Sequence, residues 1–274
     1  MTATQQPPEE FTPETTTVWS FPERGTWATH KSNYRGNFAP QVARNLLLNY
    51  SREGEFVLDP MVGSGTTLIE AKLLGRNALG IDVNQPAVDL AQSRLDFDVA
   101  NSVEVTAQLG DIRDLSHLQD NSVDLIIAHP PYWNIVKYSD GLNPDDLSSL
   151  ASLPSFLDQL ALGIRELYRV LKPNKYCAIL IGDTRKGQHY VPLSHFLLDV
   201  CIWNGFVLKE EIIKVQHNTR HGPRWLKSAS RFSFYLIMHE HLFLFRKPAE
   251  DEDLSRIKFS SIRGWALRVT RAAK

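Results

Sequence analysis

The chain has 274 residues, 43% of them hydrophobic, with 30 Lys and Arg against 31 Asp and Glu for a formal net charge of −1. That hydrophobic share fills a sizeable core and one domain is the expectation at this length, while the balanced charge by itself gives no electrostatic case for a nucleic-acid partner. Cys177 and Cys201 sit in apolar surroundings without metal-ligand spacing, which favours a reduced, cytoplasmic protein over a secreted disulfide scaffold. No run approaches the roughly 18 apolar residues of a bilayer span, and the N-terminus is polar and acidic, unlike an export signal.

Residues 1 to 16, rich in Thr, Pro, Gln and Glu, read as a disordered lead. Helical spacing over 39–50 precedes a strand at 56–59, "FVLD", and the glycine-containing turn "PMVGSG". A helix follows over 66–74, closed by Gly75 near its C-cap. The spacing then predicts a strand at 78–82, a helix at 86–97 and a strand at 105–111. The almost continuously apolar "VDLIIA", 123–128, suits a strand buried on both faces of a parallel sheet. A Ser, Asn, Pro and Asp-rich loop, a helix over 156–171, a strand at 176–183, a helix over 193–204 and strands at 207–215 and 239–247 complete the pattern. The charged tail beyond Ala249 predicts no clear structure. Strands alternating with helices specify an α/β, doubly wound, mostly parallel sheet with helices on both faces, here a single domain over 17–248.

Three strands end on acids. Asp59 opens "DPMVGSGTT", in which Gly63 and Gly65 let the backbone turn tightly against a ligand at the start of the Thr66 helix. The pattern is neither G-x-G-x-x-G nor a P-loop, so alone it is a weak signal. Asp82 ends the next strand, 23 residues on, where an acid accepts from ribose hydroxyls. Asp111 ends the third, where a carboxylate could meet an adenine amino group. Each could instead be a helix N-cap, but three in succession beside a Gly-rich turn point to a nucleoside-like ligand.

The fourth strand ends in "HPPY", His129 to Tyr132, two prolines that remove two backbone donors and carry the chain out of the sheet in a stiff extended turn. In open α/β sheets ligands bind at that end of the strands. Taken together, "DPMVGSGTT", "GID", "GD" and "HPPY", in this order, resemble the S-adenosylmethionine-dependent amino-methyltransferases of DNA, which act at N4 of cytosine or N6 of adenine. The likeness covers roughly residues 28 to 183, including "HKSNYRGNFAPQVARNLLLNYSREGEFVLDP" and "RELYRVLKPNKYCAILIGD". It implies a Rossmann-like methyltransferase fold, with S-adenosylmethionine held by Asp59, Pro60, Gly63, Gly65, Thr66, Asp82 and Asp111. It also implies that the helix before the first strand helps enclose the methionine end of the cofactor, and that the Pro-Pro-Tyr turn binds the target base.

An exocyclic amino group is a poor nucleophile because its lone pair is delocalised into the ring. A rigid turn can offer two acceptors to its N–H bonds without ordering in the transition state. The expected roles are His129 as amino-group acceptor, the Pro130 carbonyl as second acceptor, Pro131 as part of the stiff turn and Tyr132 as stacking face for an extruded base. The family's first residue is Asp, Asn or Ser, so His129 leaves cytosine against adenine open. Histidine accepts only when neutral, which predicts activity falling as pH drops through an imidazole pKa nominally about 6.5.

For DNA contact, Trp133, Lys137 and Tyr138 follow the turn. Between Ile212 and Tyr235 there are five basic residues and no Asp or Glu, with His217, His221 and Trp225 interleaved. Arg220, Arg224, Lys227 and Arg231 are the expected phosphate contacts, against the bland reading of a solvated loop. Loops 139–155 and 212–235 are the candidate target-recognition elements. His239 and His241 share a strand face without a cysteine pair or H-E-x-x-H helix and read as structural. The resemblance admits a cognate restriction enzyme as partner; RNA or a protein amide as substrate, and a non-catalytic subunit, are the alternatives.

Overall fold

The computed structural model describes residues 11–139, 143–217 and 223–264, the side chains of 223–225 excepted. Eight strands form one sheet. In chain order the strands and helices are β1 Val18–Ser20, α1 Pro40–Tyr50, β2 Phe56–Asp59, α2 Thr66–Leu73, β3 Asn77–Asp82, α3 Gln85–Arg94, β4 Val105–Leu109 and β5 Val123–Ala128. There follow α4 Leu153–Val170, β6 Leu171–Ile181, β7 Thr184–Lys186, β8 His189–Val191, α5 Leu193–Trp203, β9 Val207–Val215, α6 Pro223–Arg231 and β10 His239–Arg246.

The sheet order is β1-β9-β10-β6-β5-β2-β3-β4, with β7 and β8 paired as a separate hairpin. Only β10 runs against its neighbours, pairing antiparallel with β6 and β9; the other pairs are parallel. The expected mostly parallel, doubly wound sheet is therefore present. Strand order reverses at β2, which pairs with β3 on one side and β5 on the other, and a crevice opens at such a switch point.

All six residues of β5 are buried, and its side chains alternate between two cores. Ile126 and Ala128 join Phe156, Leu160 and Ile164 of α4 and Leu197 of α5. Leu125 and Ile127 join Leu46 and Leu47 of α1 and Leu68 and Ile69 of α2 on the opposite face. That division is why β5 reads as continuously apolar rather than alternating. Truncating Ile126 to Ala would cost about 2–5 kcal/mol.

Three differences from expectation stand out. The short β1 lies just after the Thr-rich lead and is fixed by parallel pairing with β9, a long-range partner no local pattern discloses. β6 starts five residues early because Leu171 pairs with Val123 before the chain loops out and Tyr176 resumes against Leu125. Part of the basic stretch forms α6 rather than loop. Among the described residues no helix is long and apolar enough to cross a membrane.

Candidate active site

A cleft of about 820 Å³, its open mouth included, lies over the carboxyl ends of β2 to β5. Asp59, Pro60, Gly63, Thr66, Asp82 and Asp111 line it, and so do His129, Pro131 and Tyr138. The structure thus brings the Gly-rich turn, the strand-end acids and, from the Pro-Pro-Tyr turn, His129 and Pro131 to one place; Pro130 and Tyr132 are not part of this lining.

The cradle is made by backbone. Gly63 and Gly65 take φ of +48° and +82°, and a Cβ on Gly65 would stand 3.2 Å from the Cα and Cβ of Ala91. Gly65 does not line the cleft; it caps α2 and sets the turn. Asp82 pins that turn to β3, its Oδ2 accepting from the Gly63 amide at 3.0 Å and its Oδ1 from the Asn84 amide at 3.0 Å. Burial raises its pKa. Asp59 is 4% exposed, accepts from the Met61 amide at 3.1 Å, and is pushed up by burial to about 7. Asp111 is held by Arg113, whose Nε donates to its two oxygens at 3.0 and 2.9 Å. Arg113 also donates to Gln159 and Asp145, so Asp111 faces the cleft with part of its acceptor capacity already engaged.

The other wall is a chain of polar contacts. His129 Nε2 lies 2.8 Å from the Tyr132 hydroxyl, Tyr132 donates to Glu240 Oε1 at 2.5 Å, and Lys214 Nζ donates to Glu240 Oε2 at 2.7 Å. Glu240 is 7% exposed. Burial favours its neutral acid, but the Lys214 ammonium, with the Tyr132 hydroxyl donating, outweighs this and holds it below the usual carboxylate range. For His129 burial dominates and brings the imidazole down to about 4, with Lys214 pushing the same way and Glu240 and the Gly36 carbonyl opposing. The ring is therefore neutral well below the nominal 6.5, and the expected acid limb moves down with it. The Tyr132 ring packs on Gly182, where any Cβ would collide with it.

Several lining residues had no signal as ligand groups. Tyr34, Gly36, Asn37 and Phe38 form one rim, a loop just before α1 that only the family-like segment around it hinted at. Its base is fastened by Glu70, fully buried, which accepts from Trp27 Nε1 at 2.6 Å and Arg44 at 2.8 Å and meets His30 Nε2 at 2.7 Å. The rings of Tyr34 and Tyr138 stack at 6.4 Å. Asp145, Asp146 and Leu147 supply another wall. Asp146 there accepts from the amides of Ser139 and Ser148 at 3.0 and 2.8 Å. The described part of loop 139–155, a candidate target-recognition element, thus closes the cleft near Asp111.

Trp133 is a correction. It is 4% exposed and packs in the core, its indole donating to the Leu150 carbonyl at 3.0 Å, so it offers no face to DNA. Lys137 is exposed. Lys227 and Arg231 are exposed on α6, whereas Arg220 and the Arg224 side chain lie outside the described residues. The β7–β8 hairpin extends this basic surface. Arg185 donates to the Tyr235 carbonyl at 2.9 Å and stands over the Phe234 ring at 5.0 Å, and Lys186 lies 4.8 Å from the Trp133 ring. The stretch 184–198 contains no Asp or Glu, the signal that could have singled it out. His241 meets Glu211 at 2.8 Å and Asp183 at 3.3 Å.

Comparison with known proteins bears out the family likeness. A family model described as DNA methylase matches residues 2–93, and one described as methyltransferase domain matches 51–212. A tRNA (guanine(10)-N2)-dimethyltransferase from Methanothermobacter thermautotrophicus is 35% identical over 100 residues, 36% of this chain and 29% of that protein. DNA adenine methyltransferase YhdJ of Escherichia coli is 30% identical over 114 residues, 40% of this chain and 39% of that protein. The chain thus matches well under half the length of these relatives. A solved S-adenosylmethionine-dependent methyltransferase from Methanosarcina mazei superposes with TM-score 0.51 at 18% identity, covering 75% of this chain and 98% of that one. At that identity the likeness shows the fold.

Proposed function

Because this chain belongs to the methyltransferase-domain family, we propose that it transfers a methyl group from S-adenosylmethionine to the exocyclic amino nitrogen of a base in DNA, N4 of cytosine or N6 of adenine. The observation that carries this reading is that His129 and Pro131 of the Pro-Pro-Tyr turn line the same cleft as the Gly-rich turn and its acids. The match of the DNA methylase model to residues 2–93 supports the substrate class.

The residues fit the cofactor. Gly63 and Gly65 leave the backbone open where a side chain would crowd Tyr34 or Ala91, and Asp82 and Asp111 bring acceptors to a cleft walled by apolar Ile112 and Leu147. When bound, S-adenosylmethionine supplies an electrophilic methyl group on a sulfonium sulfur. The chain's own part is to hold the amino group against it. The Pro130 carbonyl and His129 accept the two amino N–H bonds, drawing the nitrogen lone pair out of conjugation. Tyr132, fixed against Gly182, presents an edge and face to an extruded base, and Pro131 and Tyr138 wall the space.

On the outer surface Lys137, Lys186, Lys227 and Arg231 meet phosphates, with Arg220 and Arg224 completing the same basic segment. The reading carries with it a cytoplasmic location and DNA as partner, and it admits a cognate restriction enzyme. The relative that acts on tRNA makes RNA the second reading.

The test is incubation with methyl-labelled S-adenosylmethionine and, separately, duplex DNA, single-stranded DNA and RNA, followed by nucleoside digestion and mass spectrometry. Labelled N4-methylcytosine or N6-methyladenine from DNA is expected and settles the base. Label confined to RNA overturns the DNA reading.

A further inference from the structure

Tyr132 cannot donate in two directions. Its hydroxyl lies 2.5 Å from Glu240 and 2.8 Å from His129 Nε2, and Lys214 at 2.7 Å keeps Glu240 anionic. A carboxylate at that distance needs the proton between the two oxygens, since two bare acceptors so close repel. The Tyr132 oxygen must then accept, and the group able to donate to it is His129 Nε2–H. A neutral imidazole holding its proton on Nε2 is bare at Nδ1.

We propose that Glu240, held by Lys214, is the positioning residue that sets the tautomer of His129, leaving Nδ1 as the acceptor for the target amino proton. The inference rests on the methyltransferase reading and adds to it residues from β9 and β10, 82 and 108 positions beyond Tyr132 in the chain. As the target nitrogen's lone pair bonds to the methyl carbon, the carbon–sulfur bond breaks with its electron pair left on sulfur. The amino proton passes to Nδ1 and from there to solvent. The imidazolium formed in between faces the Glu240 carboxylate through Tyr132. Without the pull of Glu240, the Tyr132 hydroxyl is free to donate to Nε2, which leaves the neutral ring's proton on Nδ1, the wrong nitrogen. Loss of the correct tautomer is the kind of defect that lowers turnover while leaving binding intact.

The first test needs no activity. The full chain labelled with 15N-histidine, with His129→Gln assigning one of the nine histidines, should show His129 protonated on Nε2 and bare on Nδ1. Tyr132→Phe, which keeps the ring over Gly182, should move the proton to Nδ1. In the methylation assay Glu240→Gln should lower kcat by about 100-fold, with KM for DNA and cofactor affinity within about twofold. Lys214→Arg should retain more turnover than Lys214→Met. An Nδ1–H imidazole in an active wild-type chain overturns the inference, as does a Glu240→Gln variant with full kcat. A wild-type chain that shows the Nε2–H tautomer yet methylates no nucleic acid instead overturns the functional reading.

Discussion

The two halves of the crevice are built on different principles. On the β2–β4 side each group arrives at the end of its own strand, and short contacts set it: Asp82 to Gly63, Asp59 to Met61, Asp111 to Arg113. On the β5 side the turn itself is local, but what fixes it comes from Lys214 and Glu240, brought beside Tyr132 by the pairing of β9 with β10 and β10 with β6. The first half should therefore fail through folding and cofactor affinity, and the second through turnover.

The largest effect is expected at the buried anchor of the cleft rim. Glu70→Ala leaves Arg44 and His30 without their carboxylate, and breaking a buried ion pair in this way costs about 3–5 kcal/mol. Urea denaturation should show that loss. A change under about 1 kcal/mol would mean that the rim does not depend on Glu70 and that the contrast between the halves is overdrawn. Next comes Gly65→Val, which puts a β-branched residue at φ +82° against Ala91. With strain and overpacking of about 2–3 kcal/mol at the turn, cofactor affinity by calorimetry should fall about 30- to 100-fold.

The same contrast explains what could be read from sequence. Strands β2, β3 and β5 were legible because burial on both faces leaves apolar runs punctuated by Gly and Asp, and the ligand-facing acids stand at those punctuation marks. "HPPY" was legible because consecutive prolines have few structural roles. Glu240 was not: in "HEHLFLFRK" it reads as the polar residue of an ordinary strand, and only the register Glu240 to Lys214 reveals its partner. Lys214 read as one more charge in a basic stretch for the same reason. Trp133 misled because its place just after the turn does not disclose that its ring is buried, with φ +53° and its indole on the Leu150 carbonyl. The place of loop 139–155 in the cleft wall was not legible, because its polar composition does not disclose a backbone held by Asp146 and Ser148.

A smaller effect probes the outer surface of the β5 side. Changing Lys186, Lys227 and Arg231 together to Gln removes three exposed cations, and the slope of log binding against log salt should fall by about 2.7 if each meets a phosphate of duplex DNA. Turnover at saturating DNA should hardly change. An unaltered slope would return α6 and the hairpin to the solvated-loop reading.

The smallest change, and the one that separates the halves most cleanly, is in the pH profile. With His129 brought down to about 4, kcat should stay flat from pH 8 to 5.5 and fall only as pH drops through the range near 4, because protonation removes the acceptor. A fall centred near 6.5 would mean that the ring is not held as the structure shows. The stability sign follows from the same shift. The unfolded chain takes up the imidazole proton near its ordinary 6.5 and the folded chain near 4, so the contribution of His129 is full above about 6.5 and is lost as pH falls toward 4. Lys214 depresses the ring and Glu240 raises it, so Lys214→Met should move the acid limb up and Glu240→Gln should move it down. Cofactor-side substitutions such as Gly65→Val should leave the limb in place while weakening binding. Limbs that moved together in all three variants would show that the two halves titrate as one site and that the division between them does not hold.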